Sequence, residues 1–230
     1  MSKSHATGWT SESPTPAQLK EFFAQIEKGK ITKQRLQLLL RGKDEPQICV
    51  SELLTDWQTF YHEIFNLTCD FSGIRIPEHR PGFERLIVVA QGMTPEWLFQ
   101  KCKEHFPARK YTDRSLDEVI TSERTAQNGT YAIWIRGRVE ADEELKNLSA
   151  NNLKTKGIIT QTIEERLVDE IKYFRDTSKH MDVNNITLCA CSRYSDGSVP
   201  GVDWSDDEMG VDWYDPVDAH VDLRGRVVVS

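Results

Sequence analysis

Apolar residues recur along the chain with two different periods, and the points where the period changes divide it into segments. Leu19, Phe22, Phe23 and Ile26 follow Thr15-Pro16 at helical spacing. Thr15 is a cap, Pro16 a first-turn residue and Gly29 a stop. Thr32 then caps a second stripe, Leu36, Leu39 and Leu40, which ends near Gly42. Residues 15–42 therefore read as a helical hairpin. Ahead of it, 1–14 is rich in Ser, Thr and Gly and reads as a disordered leader. From 43 to 82 the signals are mixed: Trp57, Phe60, Tyr61, Ile64 and Phe65 keep helical spacing, then Pro77 and Pro81 break it. Arg85 to Ala90 reads as a buried strand, and Thr94-Pro95 restarts a helix carrying Trp97, Leu98 and Cys102.

Thr130 to Val139 alternates in a strand's period, and part of Glu140 to Lys156 reads as helix. Thr162 caps the clearest helix, with Ile163, Leu167, Val168, Ile171 and Phe174 on one stripe and Glu164 and Glu165 in the first turn. Asn184-Asn185 then turns the chain into Ile186 to Ala190. Beyond it, short apolar pieces (Ile186–Cys191, Gly201–Trp204, Met209–Tyr214 and Arg226–Val229) are separated by turn chemistry such as Ser195-Asp196-Gly197 and Asp215-Pro216. Four short strands are expected. Val211 and Trp213 should point inward and Asp212 and Tyr214 outward, and Val202 and Trp204 should alternate with Asp203 in the same way. The chain is thus α+β: the hairpin, a mixed α/β region over 43–129, and a β-rich domain over 130–230.

Charge changes this picture at one end. The net charge is −7, and between Ser192 and Ser230 nine acids face three bases, a net of −6. Such a face does not bind nucleic acid, since phosphate contacts need Lys and Arg. No apolar run is long enough for a membrane helix, and no apolar stretch near Met1 reads as a signal peptide, so the expected location is the cytoplasm, without a membrane. The five cysteines stand at scattered spacings and form neither a disulfide framework nor a paired zinc motif. No cofactor motif is present: the strand and helix around Gly92 lack the further glycines of a nucleotide loop.

Several readings of the acidic segment compete. Aspartates on strand edges discourage edge-to-edge aggregation. Calcium needs clustered oxygens, but the aspartates lack the spacing of a calcium loop, and no metal ligands are assigned. A recognition surface fits the mixture of Tyr, Trp, His and Asp on a β scaffold. A Cys-His enzyme built from His180 with Cys189 or Cys191 is a second class of function. An assembly protein acting through Phe22, Phe23 and Leu38–Leu40 is a third, and it would make a homo-oligomer through the N-terminal helices.

The stretch Asn185–Ser230, with Trp204, Val211-Asp212-Trp213-Tyr214-Asp215-Pro216 and the closing Leu223-Arg224-Gly225-Arg226-Val227-Val228-Val229-Ser230, resembles the ends of hypervariable bacterial proteins with a C-type-lectin or formylglycine-generating-enzyme-like fold. Among these are the variable proteins of diversity-generating retroelements. The resemblance covers about Tyr131 to Ser230 and implies a C-type-lectin-like ligand-binding domain over 130–230. In that family, fixed tryptophans and a terminal strand display solvent-facing positions that differ between copies. Adenine-directed mutation of Asn codons yields Asp, Ser, Tyr, Gly and His but not Lys, Gln or Trp. Between Ser192 and Asp222 there is no Lys, Gln or Asn. The cysteine-based catalytic pattern of a formylglycine-generating enzyme is absent, so the resemblance implies the fold and not that activity. Carried over singly, Tyr194, Asp196, Asp203, Asp206, Asp207, Asp212, Tyr214, Asp215, Asp218, His220 and Asp222 are expected to face a protein or small polar ligand. Trp204 and Trp213 are expected to be scaffold.

Overall fold

In the computed structural model, which describes residues 14–29, 31, 32, 36 and 48–230, Thr15 starts helix α1 (Pro16–Glu27). Its hydroxyl accepts from the Gln18 amide at 3.3 Å, and Gln18 Oε1 accepts from the Thr15 amide at 2.8 Å, a reciprocal cap. Gly29, at φ +70°, ends the helix in the left-handed conformation that glycine adopts without strain. Of the second helix expected in the hairpin, only Thr32 and Leu36 are described, and the Leu36 amide donates to the Thr32 carbonyl at 2.9 Å. The rest of that helix, including Leu38–Leu40, and the leader up to Ser13 lie outside the described residues. The chain divides into two units, Met1–Cys49 and Val50–Ser230.

The second unit is an α+β structure. Its first helix, α2 (Val50–Phe65), buries the stripe Trp57, Phe60, Tyr61 and Phe65. This helix does more than pack. Strand β1 (Arg85–Val89) pairs with β4 (Tyr131–Ile135) in a two-stranded antiparallel sheet, Ile87 opposite Ile133. Trp57 Nε1 donates to the Leu86 carbonyl at 3.1 Å. The Tyr61 hydroxyl donates to the Val88 carbonyl at 2.7 Å and accepts from the Ala90 amide at 3.0 Å. Two aromatic side chains thus satisfy backbone groups of β1 that the two-stranded sheet leaves over, as buried backbone requires.

Helix α3 (Pro95–His105) is capped by Thr94 and leads into β2 (Ala108–Lys110). A single turn, α4 (Leu116–Val119), precedes β3 (Ile120–Ser122), and α5 (Ala150–Thr155) follows a 3-10 turn at Glu143–Leu145. The central sheet has the order β2-β8-β7-β5-β9. It is built from β5 (Ile186–Leu188), β7 (Val199–Ser205), β8 (Glu208–Tyr214) and β9 (Leu223–Arg224), with β2 at one edge. β2 runs parallel to β8, and β5 parallel to β9; the other pairs are antiparallel. β6 (Ser192–Tyr194) pairs instead with β3. The strand expected over Arg226–Val229 is present as two isolated bridges, Val227 with Thr160 and Val229 with Trp134.

These pairings correct the domain division read from the sequence. β1, β2 and β3 all precede residue 130, yet each pairs with a strand that follows it. No boundary therefore falls at 129/130. Local periodicity marks elements but not their partners, and here the partners lie up to a hundred residues away.

Helix α6 (Ile163–Thr177) departs from its expected amphipathic form. Residues Ile163 to Lys172 are all buried, so charged side chains enter the interior beside the apolar stripe. Arg166 is wholly inaccessible and bonds Glu170 at 2.7 Å and Asp182 at 2.9 Å. Asp182 also receives Arg226 at 2.5 Å and the Thr187 hydroxyl. Arg85 reaches Asp169 at 3.2 Å, and Arg124 reaches Glu165 at 2.7 Å. Each of these acids meets a guanidinium, which is how charge is tolerated away from water. Among the described residues no helix is long and apolar enough to cross a membrane.

Candidate functional site

The β7–β8 hairpin turns on Asp206 and Asp207, both at positive φ (51° and 60°). Two such residues make the turn whose twist matches that of the strands, and aspartate is among the few side chains that tolerate it. The register sets Val199 opposite Tyr214, Gly201 opposite Asp212, Asp203 opposite Gly210 and Ser205 opposite Glu208. These residues share one face of the sheet, and Arg109 of β2, opposite Gly210, joins them.

Glycine shapes that face twice. A carbon on Gly210 would lie 3.0 Å from Asp203 Oδ1, 3.1 Å from Arg109 Nη2 and 3.3 Å from Asp212 Oδ2. Leaving it out lets three charged groups converge over the strand. A carbon on Gly201 would meet the Tyr214 ring at 2.4 Å, so that ring lies flat across the glycine. Tyr214 also packs against the core of Leu188, Val199 and Leu223, which anchors one end of the face.

Arg109 is the cation of the cluster. It meets Asp212 at 2.9 Å and Glu208 at 3.1 Å, all three side chains being about a third to two fifths exposed. The hydrogen bond that Arg109 donates to Asp212 raises the Arg109 pKa. Burial raises that of Asp203, opposed by the Ser205 hydroxyl and reinforced by Asp212. Burial, then the nearby Asp203 and Asp212, push the Tyr214 phenol up to about 12. A half-buried arginine beside a carboxyl of raised pKa offers both donors and acceptors on a rigid sheet.

The other expected ligand-facing residues are dispersed. Asp196 is exposed, but its Oδ1 accepts from the Ser198 amide at 2.9 Å and hydroxyl at 2.6 Å, which holds the β6–β7 turn and lowers its pKa. Asp206 and Asp207 form the hairpin tip. Asp215 and Asp218 brace a loop: Asp218 accepts from the Asp215 amide at 2.9 Å, and Asp215 accepts from the Val217 amide at 3.0 Å. His220 and Asp222 are exposed beyond it. Tyr194 is the correction: only 3% of it is accessible, and its ring meets Tyr111 edge-on at 5.1 Å, so it does not face solvent. Its place on β6, paired with β3, turns it inward.

The tryptophans divide. Trp204 is half-buried and stacks on His180, while its amide donates to the Asp182 carbonyl at 3.0 Å. Trp213 is 53% exposed and lies 6.3 Å from Tyr111, overturning the expectation that it fills the core. It shares a face with buried Val211 but stands next to the last residue of the strand.

His180 does not meet either cysteine. Its Nδ1 is 3.0 Å from Glu170, and its ring lies between Phe174 and Trp204. Cys189 and Cys191 do not share a strand face, because β5 ends at Leu188 and the chain turns. Burial pushes the Cys189 thiol well up, away from a nucleophilic thiolate. Arg109 and Glu208 were not singled out in the sequence. Ala108–Lys110 is too short for a periodic signal, and its parallel pairing with β8 bridges about a hundred residues.

The class these features define is an α+β chain with a mixed five-stranded sheet that carries an open, charged face. No family model, no curated protein and no solved structure matches it.

Proposed function

We propose that the protein is a ligand-recognition protein whose binding surface is the open face of the β7–β8 hairpin. The observation that carries this reading is the convergence of Arg109, Asp203 and Asp212 over Gly210, half-exposed on a regular sheet. Rigid, partly desolvated charges with both donors and acceptors are suited to a polar ligand or a polar patch on a protein, because little ordering is needed on binding. A C-type-lectin-like scaffold remains part of the proposal, and so does diversification by a retroelement. The composition of Ser192–Asp222, with Asp, Ser, Tyr, Gly and His but no Lys, Gln or Asn, supports it.

Two experiments test it. Arrays of glycans and of peptides are probed with the wild-type chain and with a variant combining Arg109→Ala, Asp203→Asn and Asp212→Asn. Binding that the variant loses, with its melting temperature nearly unchanged, supports the proposal; binding retained by the variant removes it. Tyr214 is left intact because it packs in the core. Separately, copies of the gene and the DNA beside it are sequenced. A reverse transcriptase with an Asn-rich template copy of Ser192–Asp222 supports diversification, and uniform copies without either rule it out.

A further inference from the structure

Six carboxylates are buried in the second unit: Asp142, Glu164, Glu165, Asp169, Glu170 and Asp182. Five meet an arginine. Arg136 bonds Asp142 at 2.5 Å, and Glu165, Asp169, Glu170 and Asp182 have the partners given above. Glu164, with 3% of its surface accessible, is the exception among the described residues. Its Oε2 accepts from the Ser122 hydroxyl at 2.7 Å, and that hydroxyl shares a 2.7 Å hydrogen bond with Ser192. Hydroxyls and its own backbone amide, all neutral, do not supply the counter-charge a buried carboxylate needs.

Glu164 is also a buried acid that borders a cavity. The space beside it, about 480 Å³, is bounded by α3, α4, β3 and the start of α6. Met93, Pro95 and Ile120 provide an apolar wall, and Thr121, Thr125 and Gln127 a polar one. The other acid lining it, Asp117, is occupied: its two oxygens accept from the Thr94 hydroxyl and the Glu96 amide, each at 2.8 Å. Around Glu164, the charge of Glu165 is met by Arg124, and the Tyr131 phenol approaches from β4. The walls of the cavity contain no cation.

We propose that this cavity binds a small organic cation, a primary ammonium in the simplest case, with its charge on the Glu164 carboxylate and its aliphatic body against Met93, Pro95 and Ile120. The site is separate from the hairpin face and does not depend on the function proposed for it. A cavity of this size, with an apolar patch beside polar groups and one buried counter-charge, can hold a small ligand by its body and its charge together. Burial, offset in part by Ser122, raises the Glu164 pKa to about 7, so the empty site stays largely protonated in mild acid and binding a cation releases that proton.

The test uses the full chain, isotope-labelled, with n-butylammonium chloride as probe and n-butanol as its neutral isostere. Amide shifts are followed by NMR at about pH 8 and about pH 6, where the probe is fully protonated. Butylammonium is expected to shift amides of Thr121 to Gln127 and Ile163 to Glu165, with affinity about tenfold weaker at the lower pH, where roughly a tenth of Glu164 is ionised. Glu164→Gln should abolish the shifts, and Thr121→Trp, which fills the mouth from an exposed position, should do the same while melting as the wild type does. Equal binding of n-butanol, unchanged affinity in Glu164→Gln, or no shift in the wild type at the higher pH would overturn the proposal. In that case Glu164 is a buried acid serving the fold alone.

Discussion

Two clusters in this protein use the same chemistry for opposite ends. Around α6, Arg166 and Arg226 are almost wholly enclosed and both are ion-paired with Asp182. On the β7–β8 hairpin, Arg109, Asp203 and Asp212 converge over Gly210 but stay half-open to water. An enclosed network whose charges are paired holds elements together, and removing one member strands the rest. A half-open network contributes little to stability because water competes for each charge, and for the same reason it can exchange water for a ligand. Burial, rather than residue type, separates scaffold from surface here.

The largest effect is expected at the enclosed hub. Asp182→Asn should leave Arg226 and one side of Arg166 without charge compensation and cost about 3–5 kcal/mol. The melting temperature followed by circular dichroism should then fall by roughly 6–20 °C. A fall no larger than that of an Arg109 variant would erase the distinction between the clusters.

Glu164 is the intermediate case, enclosed but without a cation. Its folded pKa, about 7, lies above the ordinary glutamate value of 4.5, so the folded chain holds a proton that the unfolded chain has released. Stability from this group is full below the unfolded value and is lost as pH rises through about 7. Glu164→Gln imitates the protonated form. In urea titrations it should match the wild type near pH 5 and exceed it near pH 8 by roughly 2–3 kcal/mol. A constant difference between variant and wild type across that range would show that Glu164 does not titrate as stated.

At the open cluster, Arg109→Ala is expected to cost only about 0.2–1 kcal/mol, with the loss shrinking further in high salt. A cost comparable to Asp182→Asn would place the hairpin cluster among the structural networks. The smallest change is at the turn: Asp207→Gly relieves the left-handed backbone at the hairpin tip and should raise stability by up to about 1 kcal/mol, visible as a small increase in melting temperature. A decrease would show that the Asp207 side chain holds the turn.

Much of the local structure was legible in the chain. Thr15, Thr94 and Thr162 each begin a helix, and each accepts the backbone hydrogen bond that its position predicts. The alternation of Val211 and Asp212 placed Asp203, Asp212 and Tyr214 on one face, and the register agrees. Legibility ended where neighbours are distant in sequence. Tyr194 alternates like a surface residue and is buried by its pairing with Ile120. Trp213 has the character of a core residue and is exposed near the end of β8.

The same limit applies to charge. Counting residues located −6 of the net charge beyond Cys191, and this read as a uniformly acidic surface. The fold brings Arg109 to two of those acids and sends Arg226 inward to Asp182. Sequence alone determined the helix starts, the strand alternation and the turn chemistry, because caps, period and left-handed residues act within a few positions of themselves. Tertiary structure decided which charges are paired, which tryptophan is open and which acid lacks a cation, because burial and ion pairing depend on groups that the chain brings together from about a hundred residues apart.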